Sequence, residues 1–112
     1  MNITVNDFKE NPFAFHMTID IILDGSTVAI QNKYGNVIFQ GEPYSAKRQI
    51  ENLLDEMASM EQITIEVTFC LRLVSFNATL DTFRATLQDI ASRYKSSRVK
   101  VRVATKHVNI FG

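Results

Sequence analysis

From Phe13 to Leu23 the chain alternates strictly. Phe13, Phe15, Met17, Ile19, Ile21 and Leu23 take one side, and Ala14, His16, Thr18, Asp20 and Ile22 take the other. A period of two places the two sets on opposite faces of a pleated strand, so the segment reads as a strand with one buried face. Asp24-Gly25 marks a tight turn, because glycine accepts the positive φ that short hairpins require. Val28 and Ile30 begin a return strand, and a second turn at Lys33-Tyr34-Gly35-Asn36 leads into Val37-Ile38-Phe39-Gln40. The chain up to Gln40 therefore predicts a meander of three strands.

After Gly41-Glu42-Pro43 the period changes. Ile50, Leu53, Leu54, Met57 and Met60 recur at spacings of three and four, with Lys47, Arg48, Glu51, Asp55 and Glu56 between them. This predicts an amphipathic helix with Ser45 as its cap. Period two then returns: Ile63, Ile65, Val67, Phe69, Leu71 and Leu73 alternate with Thr64, Glu66, Thr68, Cys70, Arg72 and Val74, which reads as a long central strand. Leu80, Phe83, Leu87, Ile90, Ala91 and Tyr94 form the stripe of a second helix, capped by Asn77 or Thr79 and ended by Ser96-Ser97. In the last clear strand Val99, Val101 and Val103 point inward and Arg98, Lys100, Arg102 and Lys106 outward, and Val108 to Phe111 add a short tail strand. The predicted order is β-β-β-α-β-α-β. Because each strand has one apolar and one mixed face, both helices are expected on the same face of a mixed sheet. The fold class is α+β, a two-layer sandwich whose second sheet face is open to water or to a partner.

Length and composition fit this picture. A chain of 112 residues suits one hydrophobic core, so residues 1–112 are read as a single domain without an internal linker. Apolar residues make up 46% and charged residues 21%, an ordinary globular balance that argues against disorder. No apolar run is long enough to cross a bilayer, and the first residues lack a basic segment followed by an apolar one, so no membrane association and a cytoplasmic location are expected. Cys70 is the lone cysteine and has no partner for an internal disulfide, which suits a reducing compartment. Without an export signal, the Asn-x-Thr triplets at Asn2 and Asn77 carry no meaning as glycosylation sites.

Charge changes the picture more. The net charge is zero, yet residues 84–106 hold Arg84, Arg93, Lys95, Arg98, Lys100, Arg102 and Lys106 against one acid, Asp89. Such segregation either neutralises itself across the fold or leaves a local field able to orient a partner. The basic strand invites a nucleic-acid reading. Sheet surfaces that hold single strands also present aromatic rings for base stacking, however, and here the outward positions are Thr, Ala, Glu and Cys.

Candidate chemistry is sparse. His16 and His107 are far apart in sequence, and with Cys70 they do not form the clustered set that zinc requires. Cys70 reads as a small apolar group, and no Gly-x-Ser-x-Gly elbow is present for serine-based hydrolysis. Gly25, Gly35, Gly41 and Gly112 are isolated, which excludes a phosphate-cradling loop of the usual kind. Asp20 and Glu66 alternate outward and would share the open face if their strands were neighbours, making them the carboxylate pair to examine for acid–base work. No catalytic residue, metal or cofactor is expected.

The order of strands and helices from Val37 to Thr105, with Phe76-Asn77-Ala78-Thr79 between the central strand and the second helix, resembles in outline the STAS-type regulatory domains. The resemblance is one of element order over part of the chain. The acidic-serine turn usual in that family is absent, and the N-terminal meander is longer. The resemblance implies that Thr79 or Ser75 would be a switch residue phosphorylated by a partner kinase, and such a charge at a helix N-terminus could make or break a docking surface. Helix capping accounts for Thr79 equally well.

The functional expectation is a non-catalytic protein-binding or regulatory domain of the inhibitor, immunity or accessory type. It would dock another protein through a charged sheet face or an edge strand, with Arg72, Arg98, Lys100, Arg102 and Lys106 as the contact residues. Homodimer formation through the same open surfaces is a further expectation. The alternatives are nucleic-acid binding by strand 98–106, a phosphorylation-controlled regulator acting through Thr79, and an enzyme whose site is assembled between two copies.

Overall fold

The structure is a computed structural model that describes residues 2–8, 16–60, 64–74, 78–94 and 98–107, with backbone alone for 78–80, 106 and 107. Five strands and two helices follow the predicted order: β1 His16–Asp24, β2 Thr27–Gln31, β3 Val37–Gly41, α1 Pro43–Ala58, β4 Ile65–Leu73, α2 Ala78–Ser92 and β5 Val99–His107. A 3-10 turn, Val5–Asp7, precedes them. Phe13 to Phe15, Ile63, Ser75 to Asn77, Ser96-Ser97 and the expected tail strand Val108 to Phe111 lie outside the described residues.

The strands form one mixed sheet in the order β3-β2-β1-β4-β5. β1, β2 and β3 are the antiparallel meander, while β4 runs parallel to both β1 and β5. The β1–β2 hairpin closes from Asp24 to Thr27, and Gly25 supplies the positive φ of 61° that the two-residue turn needs. Between β2 and β3 the side-chain oxygen of Asn32 accepts hydrogen bonds from the N–H groups of Tyr34 and Asn36, both at 3.0 Å, and Gly35 takes φ 84°. β3 carries a bulge: Ile30 pairs with Phe39 but Gln31 with Val37, leaving Ile38 as the extra residue. Gly41 leaves room for the Phe39 ring, since a Cβ there would stand 3.0 Å from the ring edge.

The predicted alternation decides which face is covered. Met17, Ile19, Ile21 and Leu23 of β1 and Ile65, Val67, Phe69 and Leu71 of β4 are fully buried in one core. Ala46, Ile50, Leu53, Leu54 and Met57 of α1 and Phe83, Leu87 and Ile90 of α2 enter the same core, and the two helices touch each other. Helices in mutual contact cannot be separated by a sheet, so both cover the same face. Each large apolar side chain so buried contributes roughly 1.5–3 kcal/mol before ordering entropy is subtracted.

Element ends differ from expectation in ways that local chemistry explains. α1 starts at Pro43 with Glu42 in the cap position, because proline's fixed φ and missing N–H suit the first helical residue. Ser45 is therefore not the cap; its hydroxyl instead approaches Glu42 Oε1 at 3.4 Å. α2 starts at Ala78, which places Thr79 in the first turn and not at the cap. Met60 and Tyr94 fall just beyond their helices yet still pack on the core.

The N-terminal segment was not anticipated as part of the core. Ile3, Val5 and Phe8 are buried. The Ile3 N–H donates to Gln49 Oε1 at 2.9 Å and the Val5 N–H to Glu56 Oε2 at 3.2 Å. Glu56 is thus a half-buried anchor on α1 instead of a solvated acid.

Candidate functional site

Because both helices lie on one side, the other sheet face is not covered by a helix among the described residues. The register fixes its cross-strand rows. His16, Glu66 and Lys100 form the first, Thr18, Thr68 and Arg102 the second, Asp20, Cys70 and Ala104 the third, and Ile22, Arg72 and Lys106 the fourth. On β1 and β4 these positions are half-buried apart from exposed His16 and buried Asp20; on β5 Lys100, Arg102 and Ala104 are exposed. Toward β2 and β3 the face loses its cations, with Asp24, Ala29, Gln31, Val37 and Gln40 around a depression of about 500 Å³.

The segregated basic run resolves into two parts. On α2, Arg84 pairs with Asp81 at 2.7 Å, and just after the helix Arg93 reaches Asp89 at 3.1 Å and Glu51 of α1 at 3.3 Å. The Asp89 hydrogen bond holds the Arg93 guanidinium further toward its charged form. Tyr94 adds a hydrogen bond from its hydroxyl to Asp55 at 2.7 Å; burial first, and then that bond, raise its phenol to about 12. The helix-borne cations are thus neutralised by neighbours. Arg98, Lys100 and Arg102 are different: all three are exposed, and no carboxylate among the described residues lies within ion-pair distance of them. Glu66 stands beside Lys100 in register but reaches the other way, to His16 Nδ1 at 3.6 Å.

Arg72 joins the basic strand as expected, since it registers with Lys106 on β5. It also reaches diagonally to Asp20, Nη2 to Oδ2 at 3.9 Å, and its Nε is buried without a hydrogen-bond partner. Asp20, an outward acid in the sequence pattern, is only 8% exposed. Sequence alternation located its face but carried no signal for this pairing, which depends on β1 and β4 being neighbours.

The carboxylate pair does not form. Asp20 and Glu66 share the open face of adjacent strands, but Glu66 registers with His16 and Asp20 with Cys70, a separation of four strand positions or roughly 13 Å. Each carboxylate has its own neighbour instead, Glu66 the His16 ring and Asp20 the Arg72 guanidinium. His16 and His107 stand at opposite ends of the sheet, His16 level with Glu66 and His107 level with Leu73. Among the described residues no group of three or more His, Cys, Asp or Glu side chains is placed to hold a metal ion. Cys70 is a free, half-buried thiol between Asp20 and Ala104. No helix among the described residues is long and apolar enough to cross a membrane.

The element order that resembles STAS-type domains is present as β3-α1-β4-α2-β5, with Thr79 in the first turn of α2 and Ser75 outside the described residues. The sequence matches no known protein family and no curated protein.

Proposed function

We propose that this protein is a non-catalytic, regulatory docking module that binds another protein through the basic border of its uncovered sheet face, formed by β5. The observation that carries this reading is the contrast between two sets of arginines and lysines. Arg84 on α2 and Arg93 just after it are neutralised by acids of the fold, whereas Arg98 just before β5 and Lys100 and Arg102 on it are exposed with no described carboxylate in reach. Cations without a described internal partner favour a binding partner that supplies the acids, and they accelerate its approach.

Nucleic acid is the less favoured occupant. Its phosphates would suit the lysine and arginine, but the face offers Thr18, Thr68, Cys70 and Ala104 where base stacking would call for aromatic rings. Among the described residues the exposed aromatics, Tyr34 and Tyr44, sit in the β2–β3 turn and at the start of α1.

The test is affinity capture of the tagged chain and of its Lys100→Glu/Arg102→Glu variant, both after nuclease treatment. The reading expects a stoichiometric protein that is retained by the native chain and lost by the variant. Capture that is indifferent to the charge reversal removes β5 from the account, and recovery that disappears with nuclease transfers the strand to nucleic acid.

A further inference from the structure

We infer that β5 receives an acidic, extended segment of the partner as an added strand, with acidic residues at alternate positions opposite Arg98, Lys100 and Arg102 and apolar residues between them. The inference rests on the docking reading and makes its partner specific.

β5 spans Val99–His107, and among the described residues it pairs with β4 alone. An edge strand presents a row of backbone N–H and C=O groups that an incoming strand can satisfy. The cations recur with a period of two, which puts them on one face at intervals of roughly 6–7 Å. A strand laid alongside has the same repeat, and directly opposed side chains have Cβ atoms about 5 Å apart, so each cation would meet one side chain. Carboxylates are the residues that such positions favour.

The intervening positions select apolar side chains. On β4 the core-facing Val67 and Phe69 are 0% exposed, while their β5 neighbours Val101 and Val103 are only half-buried because no strand follows among the described residues. An added strand with Val, Ile or Phe at alternate places would extend the core layer over them. The expected pattern is acidic-apolar-acidic-apolar-acidic.

A second copy of this chain does not supply it. Pairing β5 with β5 sets cation against cation, which destabilises a cross-strand pair. The opposite edge, β3, reads Val37-Ile38-Phe39-Gln40-Gly41 and offers no acid. No described strand carries acids two positions apart; Asp20 and Asp24 of β1 are four apart. The expected homodimer is therefore not formed at β5, and the occupant is a different chain.

The test uses the intact protein and a peptide centred on Glu-Val-Glu-Val-Glu. Two controls accompany it: a peptide of the same composition with the acids blocked at one end, and a Lys-Val-Lys-Val-Lys peptide. Binding is measured by titration calorimetry, and its location by amide chemical-shift changes. The alternating acidic peptide should bind in a salt-sensitive manner, with the largest shifts in β5. Lys100→Glu/Arg102→Glu should weaken it by at least about tenfold and create affinity for the lysine peptide. Equal binding of the block control overturns the strand register, and shifts centred on β1 to β3, or no binding at low salt, overturn strand addition at β5. If the alternating peptide fails while a captured protein still requires Lys100 and Arg102, the docking reading stands and this inference falls. A nucleic acid that competes for the same amides more tightly than the peptide overturns both.

Discussion

Arg72→Met should destabilise the protein more than Asp20→Asn, although each breaks the same ion pair. The Asp20 side chain is 12% exposed and that of Arg72 42%, at a separation of 3.9 Å. Without Arg72, the Asp20 carboxyl loses its ion-pair partner in a site that water barely reaches. Breaking a fully buried pair costs about 3–5 kcal/mol, and the half-exposed arginine and long separation reduce this to about 1.5–2.5 kcal/mol. Without the Asp20 charge, Arg72 turns to solvent, and the loss should stay below about 1 kcal/mol. The native arrangement already carries a cost, since Arg72 Nε is buried with no partner. Asp20→Leu together with Arg72→Met should therefore be near neutral, because apolar replacement of both partners removes the desolvation penalty. Urea unfolding of the three variants, at unchanged dependence on denaturant, measures this directly. Equal losses for the two single variants, or a double variant as costly as their sum, would refute the reasoning.

Three further outcomes follow from the same geometry. Phe69→Ala, at a fully buried position of β4, should cost about 3–5 kcal/mol in chemical denaturation, since the two-layer core has no neighbour free to fill the gap. Gly35→Ala should cost about 1 kcal/mol purely through backbone strain, because φ is +84° and nothing lies within 4 Å of the added carbon; Gly35→Asn should cost less in the same thermal melts. Tyr94 has its phenol raised from 10.0 to about 12, so the folded state holds the proton more tightly than the unfolded one. Its contribution is complete below pH 10.0 and is lost as the pH climbs toward about 12. Alkaline titration of stability should accordingly be flatter in that window for Tyr94→Phe than for the native chain.

The strands and helices were legible because their signals are local. The alternation around Ile19 and around Phe69, the Asp24-Gly25 turn and the three-four spacing of Ile50, Leu53 and Leu54 each need only neighbouring residues. What escaped was long-range. The sequence pattern does not state that β4 lies between β1 and β5, and without that order Asp20 reads as a solubilising acid instead of the partner of Arg72. The N-terminal segment escaped for a similar reason: Ile3, Val5 and Phe8 have no sheet or helix period, and the segment is held by Gln49 and Glu56 of α1 accepting the N–H groups of Ile3 and Val5. At Ser45 a weak local signal lost to a stronger one, the proline at the first helical position. For the docking strand, composition located the cations, but only the fold separates the neutralised Arg84 and Arg93 from Arg98, Lys100 and Arg102, which have no ion-pair partner among the described residues.

The most direct test of β5 as the docking element is amide hydrogen exchange along Lys100–Thr105, measured in the free chain and in complex with the protein captured after nuclease treatment. The account predicts protection concentrated in β5, with the exposed faces of α1 and α2 unchanged. Protection confined to the helices, with β5 exchanging as in the free chain, would contradict it.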